Sequence, residues 1–99
     1  MTRNAVQVRW LDLTRREMPG LAASHGWPVR ADHCFQRILL DNAVGEKWNT
    51  EIPAPAYRNA PDDLLERAIA LGEAAIAGSE DLDDLNHNSL AWRGKGEAA

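Results

Sequence analysis

Apolar residues recur at helical spacing most clearly between Pro61 and Ala77. Leu64, Leu65, Ala68, Ile69, Leu71, Gly72, Ala75 and Ile76 fall on one side, and Asp62, Asp63, Glu66, Arg67 and Glu73 largely on the other. Asn59 is placed to cap this helix, Pro61 suits its first turn, the two aspartates favour its positive end, and Gly78 stops it. Ser79 then caps a second helix with Leu82, Leu85, Ser89 and Trp92 on one face, closing at Arg93-Gly94. So short a junction predicts an antiparallel helical hairpin.

Upstream, Asp32 can cap a helix from His33 to Val44, with Phe35, Ile38, Leu39 and Ala43 inward and Gly45 as its stop. The first segment mixes two periods. Leu11, Met18, Leu21, Ala22 and His25 share a helical face, and Thr14-Arg15-Arg16-Glu17 matches a capping box; Val6, Val8 and Trp10 alternate as in a strand. The pattern is read as a helix over 11–25, bent at Pro19, with residues 5–10 open between helix and strand. Two connectors join these elements: Gly26 to Ala31, and the long stretch Glu46 to Ala60 with Trp48, Ile52, Pro53, Pro55 and Tyr57. A connector of that length is commonly functional or packed by its own side chains.

These elements predict an all-α domain: a small bundle of about four helices with a C-terminal antiparallel hairpin and a long aromatic-containing loop. One domain spanning 1–99 is expected, with a frayed tail at 95–99. The 44% hydrophobic and 26% charged composition suits a chain that folds unaided. Cys34 is the single cysteine, so no intramolecular disulfide can form. No stretch approaches the roughly 20 apolar residues of a membrane span, and the N-terminal residues lack a signal-peptide core. A reducing, cytoplasmic setting is expected.

Charge is divided unevenly. Residues 1–50 are net +2 and residues 51–99 net −6, for −4 in all. Phosphate-backbone affinity comes from lysines and arginines, so a nucleic-acid interface would have to use Arg9, Arg15, Arg16, Arg30 and Arg37 in the first half.

Asp32-His33-Cys34-Phe35-Gln36-Arg37 is the segment richest in reactive groups. The positive end of a helix and neighbouring cations stabilise a thiolate, so Cys34 with His33 and Arg37 is the alternative that would make this chain a small enzyme or an enzyme accessory domain. Adjacent helical residues point about 100° apart, however, which favours Cys34 as a small packed hydrophobe beside Phe35 and Ile38. His25, His33, Cys34 and His87 suit zinc chemically but lack paired ligand spacing, and no metal or cofactor is expected. No phosphate-binding loop, dinucleotide fingerprint or nucleophile elbow occurs.

Four tryptophans, Trp10, Trp27, Trp48 and Trp92, are many for 99 residues. Tryptophan, tyrosine and arginine dominate interface hot spots, and Trp27, Arg30, Trp48, Tyr57 and Arg58 fall in connectors. With catalytic motifs lacking, these five are the candidate binding residues of a small helical interaction module whose partner is another protein.

Overall fold

The computed structural model describes residues 2–50 and 52–94; the tail expected to fray, 95–99, lies outside them. Thr2 caps α1 (Arg3–Asp12), its side chain accepting from the Ala5 N–H at 3.2 Å. The strand-like alternation of Val6, Val8 and Trp10 is therefore helical, and the first helix begins eight residues before the expected start. Val6 and Trp10 are four apart and buried, whereas Val8 is exposed.

A wide π-helical turn, Leu13–Glu17, carries α1 without a break into α2 (Met18–His25). The Met18 N–H reaches back five residues to the Leu13 carbonyl. This turn sits just ahead of Pro19, whose ring in a regular helix would crowd the Arg15 carbonyl and whose missing N–H would leave it unpaired. The extra residue also shifts the buried face. Leu13, Thr14, Met18 and Ala22 point inward, while Leu11 and Leu21 are only half-buried and His25 is exposed. Thr14 makes no capping box: its hydroxyl donates to the Trp10 carbonyl at 2.9 Å and accepts from Gln36 Nε2 at 3.0 Å.

Helix α3 (Asp32–Val44) buries Phe35, Ile38 and Leu39 as the periodicity predicts, and adds Leu40 and Asp41. It is the centre of the bundle. Helix α5 (Asp62–Ala77) packs Leu64, Leu65, Ala68, Ile69, Gly72 and Ala75 inward, lying against α3 and α1. Helix α6 (Leu82–Trp92) buries Leu82, Leu85 and Ser89, and its main partner is also α3. The link from α5 to α6 takes four residues, 78–81, rather than the Gly78-Ser79 junction that the sequence predicts, and each helix packs chiefly on α3 rather than on the other. Trp92, expected on the inner face, is 41% exposed.

Helix ends differ by a residue or two from the expected caps. Pro61 occupies the cap position of α5, because Asn59 ends a short helix α4 (Ala56–Asn59) and turns its amide to the Pro53 carbonyl at 3.0 Å. Asp81, rather than Ser79, caps α6 by accepting from Asp83 N–H at 2.8 Å; the Ser79 hydroxyl bonds back to Ala74. The long connector thus contains regular structure, a 3-10 turn at Trp48–Thr50 followed by α4. The Cα radius of gyration, 12.7 Å, matches the roughly 13 Å of a compact chain of about 100 residues.

Candidate functional site

The connector between α3 and α5 is held from both sides. At one end the buried Asp41 carboxylate accepts the Trp48 backbone N–H at 2.9 Å. At the other, Gln7 Nε2 and Arg3 Nη2 donate to the Tyr57 carbonyl at 2.9 and 3.2 Å, and Arg3 also bonds the Arg58 carbonyl at 2.8 Å and pairs with Asp62. Ile52, Ala56 and Ala60 pack into the core between these anchors.

This arrangement leaves a cleft of about 260 Å³ between α3 and the connector. The connector contributes Trp48, Ala54, Pro55, Ala56 and Tyr57. From α3 come His33, Gln36, Arg37 and Leu40, spaced so that they share one helical face. Trp10, Leu40 and Ala56 are its buried members, and Arg15 reaches it from the π turn. Here the wide turn has a consequence for the site, since it directs Thr14 into the core and leaves Arg15 outside.

Arg37 is half-buried and bonds only neutral partners, Ser89 Oγ at 2.7 Å and Asn86 Oδ1 at 2.9 Å. Arg15 is exposed and makes no hydrogen bond or ion pair among the described residues. His33 is exposed, with Nδ1 3.6 Å from the adjacent Asp32. Among the described residues no carboxylate lines the cleft.

Of the five candidate binding residues, Trp48 and Tyr57 line this cleft; Trp27, Arg30 and Arg58 do not. Trp27 is a rim-closing core residue, edge-on to Phe35 at 5.6 Å and tilted over His25 at 4.6 Å. Arg58 lies 5.9 Å from the centre of its neighbour Tyr57's ring, and Arg30 is exposed without a partner among the described residues. Trp10, Gln36 and Leu40 also line the cleft and are not among those five. The signal for the last two was present in the i, i+3, i+4, i+7 spacing of His33, Gln36, Arg37 and Leu40, a stripe beside the apolar one.

The thiol alternative is placed differently. His33 and Arg37 face the cleft, whereas Cys34 does not line it and is half-buried. Among the described residues no three His, Cys, Asp or Glu side chains gather as a metal ligand set. The basic residues considered for nucleic acid are also dispersed in role. Arg9 bonds Glu17 and Glu73, and Arg16 grips Asp12 through Nε at 2.7 Å and Nη2 at 2.9 Å. The Arg16 guanidinium holds the Asp12 carboxyl down to about 2. No helix among the described residues is long and apolar enough to cross a membrane.

Fold and site together define a small all-helical bundle with a cationic, aromatic cleft beside its central helix. No protein-family model matches this chain, and no curated protein and no solved structure shows significant similarity to it.

Proposed function

We propose that this chain is a non-catalytic binding module that takes hold of another protein through the cleft between α3 and the connector. One observation carries the reading: Trp48 and Tyr57, residues of the types that anchor interfaces, are held in a doubly anchored connector opposite Arg37. Pre-ordering the connector lowers the entropy that binding would otherwise have to overcome. The cleft is slightly smaller than the roughly 300–1,000 Å³ of typical small-molecule and cofactor sites, which favours a side chain or two of a partner over a cofactor. A single cysteine and no disulfide suit work in a reducing compartment, for which we propose the cytoplasm.

The test is affinity capture from the native cell, with partner stoichiometry read by mass spectrometry for the natural chain, Trp48→Ala and Trp92→Ala. Trp92 is exposed away from the cleft and serves as the control. A stoichiometric protein partner lost with Trp48→Ala and retained by Trp92→Ala is the expected result, with helical far-UV spectra unchanged in both. Retention of the same partner by Trp48→Ala, or no stoichiometric partner at all, overturns the proposal.

A further inference from the structure

Resting on the reading that this cleft binds a partner, we infer that its occupant is an acidic peptide segment, which places a carboxylate on Arg15 and Arg37 and an adjacent apolar side chain against Trp48 and Tyr57. The inference comes from how charge is distributed among the arginines. In a chain with 15 acidic and 11 basic side chains, carboxylates are in excess. Arg3, Arg9, Arg16, Arg67 and Arg93 each lie within 4 Å of one, on Asp62, Glu17, Asp12, Asp63 and Asp41 respectively. Arg15, Arg30, Arg37 and Arg58 have none among the described residues, and of these Arg15 and Arg37 line the cleft together.

Arg37 is the more telling of the two. It is half-buried, its Nη1 and Nη2 are oriented by the neutral oxygens of Ser89 and Asn86, and its positive charge is not cancelled by direct contact. A guanidinium partly withdrawn from water and held in one orientation favours an anion that can accept from its remaining N–H groups. The walls made by Trp48, Pro55 and Tyr57 are too apolar for a bare inorganic anion to fill them, and a small free metabolite would leave them in water. An acidic peptide meets both requirements. It also fits the volume, which admits about one or two side chains.

The experiment titrates the full chain, labelled with nitrogen-15, with a mixed library of capped tetrapeptides carrying Glu in the second position and Leu, Phe or Trp in the third. The matched library carries Gln for Glu, and inorganic phosphate and a short single-stranded RNA are separate arms. The Trp48 indole N–H and the Arg15 Nε–H should move with the Glu library, while the Trp27 and Trp92 indole signals stay still. Replacing a charge-assisted bond by a neutral one should weaken binding by about tenfold for the Gln library. Arg15→Gln should weaken the Glu library similarly, and Arg30→Gln, off the cleft, should leave it unchanged.

Equal binding of the two libraries, no binding of either, tighter binding of phosphate or RNA, or indifference to Arg15→Gln each overturns the acidic-peptide assignment. Such a failure is separable from failure of the cleft as a binding site. A captured partner that depends on Trp48 but binds no better through carboxylates would leave the cleft standing and remove only the acidic peptide.

Discussion

Arg93, just past the end of α6, closes a two-pronged grip on the wholly buried carboxylate of Asp41 in α3, with Nε 2.7 Å from Oδ2 and Nη2 3.0 Å from Oδ1. Ser89 donates to the same carboxylate at 2.6 Å while accepting from Arg37, and the Trp48 N–H completes the set at 2.9 Å. One buried charge thereby joins α3, α6 and the connector that forms the cleft. Every buried side-chain polar atom among the described residues has a partner, as burial of a charge demands.

Arg93→Met is expected to leave that carboxylate buried without its counter-ion and to cost roughly 3–5 kcal/mol of stability. Urea unfolding followed by far-UV circular dichroism measures it. A loss below about 0.5 kcal/mol, the level of ordinary surface changes, would mean that the pair does not hold α6 to α3.

At Gly72, α5 approaches its neighbours closely. A Cβ added there would lie 2.7 Å from Leu13 Cδ2, 3.0 Å from Leu39 Cδ1 and 3.3 Å from Met18 Sδ. Gly72→Leu should overpack this junction and destabilise by about 1–3 kcal/mol. Gly72→Ala should be milder, because the clashing atoms are ends of flexible side chains and alanine contributes about 1 kcal/mol of helix propensity. Thermal unfolding of both variants checks the order; a neutral leucine would show that the helices do not meet as closely as described.

Asp12 should titrate at about 2, below its ordinary 3.8, because Arg16 bonds the charged form. A carboxylate depressed in the folded state adds stability above its ordinary value and loses that contribution as pH falls towards 2. Carbon-13 detection of the Asp12 carboxyl gives the midpoint directly, and Arg16→Gln should move it upward. An unchanged midpoint in that variant would exclude Arg16 as the cause.

Cys34 lies off the face of α3 that lines the cleft, although both of its proposed helpers, His33 and Arg37, lie on it. Cys34→Ala is therefore expected to leave peptide binding and partner capture unchanged. Loss of either, in a variant that keeps its helical spectrum, would bring the thiol into the site and favour the enzymatic alternative.

The apolar stripes of α3 and α5 were legible in the chain, because each is an uninterrupted 3.6-residue pattern ended by a glycine at positive φ, Gly45 at 92° and Gly78 at 84°. The first helix departs from its sequence pattern for a physical reason. Its π turn inserts one residue between Leu13 and Met18, so no single period fits both halves and Val6 and Trp10 fall out of phase with the residues after the turn. At the cleft, Trp48 and Tyr57 were accessible to composition, and the stripe from His33 to Leu40 to spacing. Trp10 and Arg15 were not, since they reach the cleft only through the docking of the first helix against α3 and the connector.

By itself, then, the sequence determined that the chain is helical, where its two strongest helices lie, and which connector carries the aromatics, because periodicity, capping and turn chemistry act within a few residues. Tertiary structure alone decided that α5 and α6 both pack on α3, that Asp41 pairs with Arg93, and that Arg37 is left facing a cleft without a carboxylate beside it. Asp41 and Arg93 are 52 residues apart. No local pattern encodes such a partnership: burial of a charge makes its counter-ion obligatory, and only the packing of whole helices decides which charge is buried and which arginine can reach it.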